Sequence, residues 1–395
     1  MISSMSKVKE AQKHLQAKHL DGWLLYDFHK TNDLAHRFLD IPSTKMTTRR
    51  FFYWIPAKGE PVRIVHAIEE GTLDGWPGEK KVFASWQSLE KVLEGLLRGK
   101  KRIAMEYSPK NAIPYVSKVD AGTVDLIRSF GVEVVSSADF LLYFTSVLSD
   151  EQIESQRRAA SALSEIVEGA WEFIAKALKQ GKAVTERAVQ AHILEGFEKR
   201  NIVTESGPIV AVNAHSADPH YMTGSAEIRK GDFILIDLWG KERGEWTVYG
   251  DITRVAVADK QASAKQREVF GIVRAAQKAG IALVKKQFAE KREIQGWEVD
   301  EAVRTVIREA GYGEYFIHRT GHNIEVELHG SGTHMDNLEM HDVRPIVPMT
   351  CFSVEPGIYL PGEFGVRLEA DVLILRDGTV EVTGGEEDEL RLLLL

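Results

Sequence analysis

The chain has 395 residues, with 50 Lys+Arg against 58 Asp+Glu, 13 His and one Cys. That length suffices for two domains, and a composition 44% hydrophobic and 27% charged excludes bulk disorder. A net charge of −8 argues against nonspecific nucleic-acid binding, and a lone Cys351 excludes an intrachain disulfide or a thiolate metal cluster.

The charge is uneven. Residues 1–150 carry a net +3 and the remainder −11, and five of the histidines fall between His318 and His341. The N-terminal stretch has no apolar core of a signal peptide and reads as a charged helix. No apolar run nears the ~18–20 residues that span a bilayer, so a cytoplasmic protein with no membrane contact is expected by default.

In chain order, Gly22–Tyr26, Arg50–Ile55, Val62–His66, Arg102–Met105 and Val132–Val135 read as strands, with helices near Ser88–Leu97 and Asp120–Phe130. This alternation predicts an α/β domain with a mixed sheet over residues 1–148. Ser149-Asp-Glu-Gln152 has capping-box spacing, so a second domain over residues 149–395 is expected to open with a long helix reaching about Lys179. A helix over Val184–Arg200 follows. Strands are then expected at Phe233–Leu238, Val248–Ala258, Thr350–Glu355 and Gly365–Leu375, with helices at Ala262–Lys286 and Val299–Ala310. That order predicts an α+β domain with helices on one face of a curved sheet. The closing LRLLLL reads as a packed strand or an oligomer contact.

Four strand segments put acids where a buried strand should be apolar. Asp237 interrupts Phe233-Ile-Leu-Ile-Asp237-Leu-Trp, and Asp251 follows in Val248-Tyr-Gly-Asp251-Ile-Thr-Arg. Glu355 ends Cys351-Phe-Ser-Val-Glu355, and Glu369 lies inside Gly365-Val-Arg367-Leu-Glu369-Ala. A buried carboxylate costs several kcal/mol, on the order of the desolvation penalty per ion, unless a cation or strong donors offset it. With side chains alternating along a strand, Arg367 and Glu369 share a face, as do Asp251 and Thr253. Four carboxylates and an imidazole make a hard ligand set, suited to Mn²⁺, Co²⁺, Fe²⁺ or Zn²⁺. His318, His322 and His329 cluster near these acids as ligand and acid/base candidates, whereas Cys351 reads as an inert core thiol.

The ordered set Asp237, Asp251, His322, Glu355, Glu369 resembles the five-ligand dinuclear site of the "pita-bread" metallopeptidases. The stretches that carry the likeness are Asp251-Ile-Thr-Arg254, His318-Arg-Thr-Gly-His322, Val354-Glu355-Pro-Gly-Ile-Tyr359 and Gly365-Val-Arg367-Leu-Glu369. They look most like the proline-specific branch, the prolidases and Xaa-Pro aminopeptidases. The resemblance implies a pita-bread catalytic domain behind a creatinase/prolidase-like N-terminal domain. It implies two divalent ions, Mn²⁺ first and Co²⁺, Zn²⁺ or Fe²⁺ as alternatives. Asp237 would chelate one ion, Asp251 and Glu369 would bridge both, and His322 and Glu355 would complete one each. His220, His318, His329 and Arg367 match the surrounding substrate and proton-handling positions.

The activity so implied is hydrolysis of Xaa-Pro bonds in small peptides, in dipeptides above all, by a homodimer. Cleavage of longer peptides, a metal-dependent lyase and a non-catalytic binding protein are the other readings. Three departures from the family pattern are expected near the substrate pocket. They are the long hairpin at Lys241–Trp246, Asn323-Ile-Glu325 in place of Gly-Ile-Gly, and Gly330 after His329.

Overall fold

Ser3 accepts a hydrogen bond from the Ser6 amide and so starts helix α1 (Ser4–Ala17). The structure, a computed structural model, describes residues 3–394. Met1 and Ile2 of the expected N-terminal helix, and Leu395 of the closing apolar run, therefore lie outside the described residues. The chain divides into two units, one through Thr145 and one from Ser146.

In the first unit α1 leads into β1 (Gly22–Asp27), α2 (Asp33–Phe38), β2 (Phe51–Pro56), β3 (Val62–His66), β4 (Glu79–Phe83), α3 (Trp86–Leu97), β5 (Arg102–Met105), α4 (Ala121–Ser129), β6 (Glu133–Ser136) and α5 (Ala138–Thr145). The sheet order is β4-β3-β2-β1-β5-β6. β2 runs antiparallel to both neighbours and the remaining pairs are parallel. Every residue of β1 is buried because both faces are covered. Leu24, Tyr26 and Phe52 pack with Leu89, Leu93 and Ile127 of α3 and α4. On the other face Trp23 meets Phe38 of α2 and Phe140 of α5 edge-on. β4 was absent from the sequence reading: Glu79-Lys-Lys-Val-Phe is a charged edge strand whose buried side chain is Phe83.

The second unit opens with α6 (Asp150–Lys179), whose Ser149–Gln152 capping box forms as the spacing predicts. It continues through α7 (Glu186–Lys199), β7 (Ile202–Val203), β8 (Ile209–Val212), β9 (Phe233–Glu242), β10 (Gly250–Val257), α8 (Ala264–Ala289), α9 (Gly296–Glu309) and β11 (Asn323–Ile324). The last elements are β12 (Thr350–Val354), β13 (Gly357–Leu360), β14 (Phe364–Arg367), β15 (Ala370–Ile374), β16 (Val380–Thr383) and β17 (Arg391–Leu392). One sheet runs β17-β10-β9-β7 with β8 on β9, another runs β11-β12-β15-β16, and β13 and β14 form a separate hairpin.

The long β9–β10 hairpin is the spine of this unit. Its Ile234, Ile236, Leu238, Ile252 and Ala256 pack with α6 and α7, while Phe233, Leu235, Val255 and Val257 pack with α8 and α9. Helix α6 thus covers one face of the hairpin, as expected, while β14 and β15 pack on the other, so both faces are buried and the apolar runs are unbroken. The strand expected over Gly365–Leu375 is also two strands, β14 and β15, and Glu369 sits in the break between them. No helix among the described residues is long and apolar enough to cross a membrane.

Candidate metal centre and active site

The apolar run that opens β9 aims Asp237. Asp237 follows Phe233 and Leu235 on the same face, and its cross-strand partner on β10 is Thr253. Asp251 lies two residues before Thr253 and is buried. The Asp251 backbone N–H donates to Asp371 Oδ2 at 3.0 Å, and the same oxygen receives the Gln156 amide of α6 at 2.7 Å. Glu369, in the β14–β15 break, accepts from Thr253 Oγ1 at 2.8 Å. Its backbone is fixed by Arg254, a buried guanidinium that donates to the carbonyls of Thr253, Glu369, Gly384 and Gly385.

His322 arrives on the segment leading into β11. Its backbone N–H donates to Ser353 Oγ at 3.0 Å, and that hydroxyl donates to Glu355 Oε1 at 3.1 Å. Gly321 makes this approach possible, because a Cβ there would fall 1.9 Å from the Ser353 carbonyl. Nδ1 of His322 faces the Asn323 carbonyl at 3.3 Å, which leaves Nε2 as the acceptor nitrogen. Nε2 lies 3.5 Å from both Asp251 Oδ2 and Glu355 Oε1. Asp251, His322 and Glu369, all buried, each offer a ligand atom within 4.8 Å of the others.

Arg367 ends β14 and is engaged throughout. It donates to Asp237 Oδ2, to Thr253 Oγ1 at 3.0 Å, to the Tyr359 hydroxyl at 3.2 Å and to the Pro219 carbonyl at 3.5 Å. Tyr359 in turn hydrogen-bonds His318 Nε2 at 2.7 Å, and His318 Nδ1 bonds the Arg319 carbonyl at 2.7 Å. Both His318 nitrogens are therefore occupied. His329 stands edge-on to His322, ring centroids 4.2 Å apart.

All nine residues singled out in the sequence line one cleft of about 990 Å³: His220, Asp237, Asp251, His318, His322, His329, Glu355, Arg367 and Glu369. Trp239, Arg319 and Glu339 line it as well. Sequence reasoning missed Asp371, Ser353 and Tyr359. Asp371, an acid inside the apolar β15, carried the same signal as the other four. Cys351 is a buried core thiol, and His334 and His341 lie off the cleft. Of the departures, Asn323 and Glu325 are fully buried, and neither they nor Gly330 lines the cleft, although their neighbours His322, Leu328 and His329 do.

The charges explain what the cleft is fitted to hold. Burial, then repulsion from Glu369 and Asp237, holds Asp251 well above the usual carboxylate range. Burial, then Glu355 and Asp237, does the same to Glu369. Burial raises Asp237 against the pull of Arg367 and pushes Glu355 up to about 7. Burial also holds His322 well below the usual imidazole range, His318 down to about 3 and His329 to about 4, so all three are neutral at pH 7. Asp237 Oδ1, Asp251 Oδ1 and Glu369 Oε1 are buried and without a hydrogen-bond partner. Orphaned carboxylate oxygens beside a neutral imidazole are what divalent ions satisfy, so the donor set fits the ions that the resemblance implies.

The profile of metallopeptidase family M24 matches residues 154–376. The chain belongs to that family. It is a metallopeptidase of pita-bread fold acting on small peptides, and the M24 ligand group is dimetal-dependent. It is 32% identical over 269 residues to an uncharacterized peptidase of Staphylococcus saprophyticus, a stretch covering 67% of this chain and 70% of that protein. It is 32% identical over 244 residues to an Xaa-Pro dipeptidase of Pyrococcus furiosus, covering 62% and 65%. Among solved structures, dipeptidase PepE from Mycobacterium ulcerans superposes with a TM-score of 0.71 at 22% identity, covering 99% of this chain and 98% of that one. The prolidase from Pyrococcus horikoshii gives 0.62 at 22%, covering 97% and 99%. At these identities the structural likeness concerns the fold.

Proposed function

We propose that this M24 metallopeptidase hydrolyses the bond between a residue X and a following proline, chiefly in dipeptides, with two ions of Mn²⁺. The observation that carries the reading is the meeting of Asp237, Asp251, His322, Glu355 and Glu369 in one cleft whose walls hold His220, His318, His329 and Arg367. The names of relatives, Xaa-Pro dipeptidase among them, support it. A cytoplasmic homodimer with no nucleic-acid or membrane partner belongs to the same reading.

Asp237, Asp251, His322, Glu355 and Glu369 would hold the ions, which supply a water acidic enough to attack near neutral pH and polarise the scissile carbonyl. The Xaa-Pro bond is a tertiary amide without an N–H, so recognition rests on shape and on its carbonyl. Glu355 takes a proton from the attacking water on a carboxylate oxygen and returns it to the leaving proline nitrogen. His329, neutral and with its ring open to the cleft, donates to the carbonyl oxygen as negative charge develops there. His220 contacts the proline end.

The hydrogen bonds of two of these residues refine their proposed roles. Arg367 is committed to Asp237, so it orients that ligand and offers a proline carboxylate its charge rather than a free fork. His318, with both nitrogens bonded and tied through Tyr359 to Arg367, walls the proline side.

The test compares an X-Pro dipeptide, an X-Pro-Y tripeptide and a proline-free dipeptide, each with added Mn²⁺. Cleavage of the first alone is expected. Cleavage of the tripeptide would mean an aminopeptidase, for which a cleft of about 990 Å³ leaves room. Cleavage of none overturns the reading in favour of a lyase or a binding protein.

A further inference from the structure

Glu186 is fully buried in the first turn of α7, yet it is not needed as the cap of that helix. Thr185 already caps α7, its hydroxyl accepting from the Ala188 N–H at 3.2 Å. The Glu186 carboxylate instead takes four hydrogen bonds from the irregular segment between β8 and β9. Oε1 accepts from the Val212 N–H at 3.0 Å and pairs with His215 Nδ1 at 2.7 Å. Oε2 accepts from the Tyr221 hydroxyl at 2.8 Å and the Ala226 N–H at 3.2 Å. Val212 and Ala226 are the two stems of the segment, and the stacked rings of His215 and Tyr221, 4.5 Å apart, lie within it.

The far side of the same segment rests on the active site. Ser216 Oγ accepts from the Gly365 N–H of β14 at 2.8 Å, and Gly365 admits it only for want of a Cβ, which would fall 2.0 Å from the Ser216 carbonyl. Pro219 presents its carbonyl to Arg367, and His220 follows directly, exposed in the cleft. Apart from one short 3₁₀ turn over Asn213–Ala217, the segment has no regular backbone ladder between its stems. Its shape is set by the Glu186 clasp at the neck, by Thr223, whose hydroxyl accepts from the Val210 N–H at 2.9 Å and donates to the Pro208 carbonyl at 3.1 Å, and by a rest at the tip.

We propose that Glu186 is a positioning residue for catalysis: its carboxylate clasps both stems of the 212–226 segment and thereby holds His220 against the proline end of the substrate. The proposal rests on the Xaa-Pro reading for the role of His220, whereas the clasp itself does not. A carboxylate is required because four donors converge on two acceptor-only oxygens. The Gln amide has one such oxygen, and its NH₂ would face the Ala226 N–H, which cannot turn round to accept.

The experiment is a double-mutant cycle with Glu186→Gln and His220→Ala on the Mn²⁺-loaded enzyme, using Ala-Pro, with chymotryptic nicking after Tyr221 measured in parallel. Glu186→Gln is expected to lower kcat/KM about tenfold or more, mainly through KM, which is the scale of a hydrogen bond to a charged group. Bound Mn²⁺ should stay at the wild-type content. In the His220→Ala background the same change should have little further effect, because it acts through His220. Nicking after Tyr221 should quicken severalfold in Glu186→Gln and not in His220→Ala.

Equal losses in both backgrounds, or an unchanged nicking rate, would overturn the proposal. If wild type cleaves no Xaa-Pro substrate while Glu186→Gln is nicked faster, the Xaa-Pro reading falls and the clasp stands. Should Glu186→Gln not fold, Tyr221→Phe deletes a single bond of the clasp, keeps the chymotryptic site and must show the same pattern more weakly.

Discussion

Stripping the divalent ions turns the active-site carboxylates into a liability whose size follows from Glu355. Burial lifts this carboxyl from an ordinary 4.5 to about 7, and its side chain is only 14% exposed. Between those two values the folded protein keeps a proton that the unfolded chain has released. A raised pKa therefore contributes stability in full below pH 4.5 and loses it as pH climbs through 7. At about 1.4 kcal/mol per pKa unit, Glu355 alone accounts for about 3 kcal/mol. Asp251, Glu369 and Asp237 act with the same sign, while His318 and His329, with lowered pKa values, act with the opposite one. The whole-protein curve consequently mixes signs, and a difference isolates the group.

The variant is Glu355→Gln, which keeps the shape and cannot ionise. Urea unfolding followed by far-ultraviolet circular dichroism, in chelator, at steps from pH 4.5 to 7.5, measures both proteins. Relative to wild type the variant should gain about 3 kcal/mol across that range. With saturating Mn²⁺ the comparison should reverse, because ions bind the deprotonated ligands and wild-type stability then rises with pH. A chelated variant that tracks wild type to within about 0.5 kcal/mol at every pH would refute the reasoning.

Glu355→Ala should lower kcat on an X-Pro dipeptide by about 10²–10⁴-fold, and substantial retained turnover would remove Glu355 from the proton path. Arg254→Met leaves the Thr253, Glu369, Gly384 and Gly385 carbonyls without their shared donor, and urea midpoints should report a loss of about 3 kcal/mol. Gly321→Ala would drive a methyl into the Ser353 carbonyl; the strain of about 1–3 kcal/mol should appear as weaker Mn²⁺ binding by calorimetry, since His322 is the next residue. Gly330→Glu, which would restore a residue frequent in prolidases, should destabilise rather than help. Its Cβ would meet Asn323 Oδ1 at 2.3 Å and the Glu325 side chain at 2.7 Å, and a raised melting temperature would contradict this packing.

Much of the site was legible because burial makes acids conspicuous. Asp237 within Phe233-Ile-Leu-Ile and Glu369 beside Leu368 and Ala370 break runs that a covered strand otherwise keeps apolar. The same logic could have found Asp371. Ser353, Tyr359 and Glu186 were invisible for a physical reason: a hydroxyl in a strand, or an acid at the start of a helix, has an ordinary local explanation. Their importance arises from chain segments far away, the Glu186 carboxylate meeting Val212 and Ala226 and the Ser353 hydroxyl meeting His322. Strand limits failed where the backbone must turn a ligand outward. The uninterrupted pattern of Gly365–Leu375 hides the break that presents Glu369, since hydrophobic periodicity records which side is buried and not where a strand stops.

The departures after the metal histidine, at Asn323, Glu325 and Gly330, act through packing more than through contact with substrate. Lying between His322 and Ser331, they invite a role in substrate choice. In the fold they form one packed unit beneath the cleft wall. Asn323 donates to the Cys351 carbonyl at 2.9 Å and accepts from the Gly332 N–H at 2.8 Å. The Gly330 N–H donates to the Asn323 carbonyl at 2.8 Å, and Glu325 accepts from the Ser331 N–H at 3.2 Å. The space a side chain at 330 would need is occupied by Asn323 and Glu325. A chain carrying Gly at 323 and 325 would leave that volume open to a larger residue at 330. The departures therefore read as mutual compensation in packing beside His329, and exchanging all three together should lower the melting temperature less than exchanging Gly330 alone.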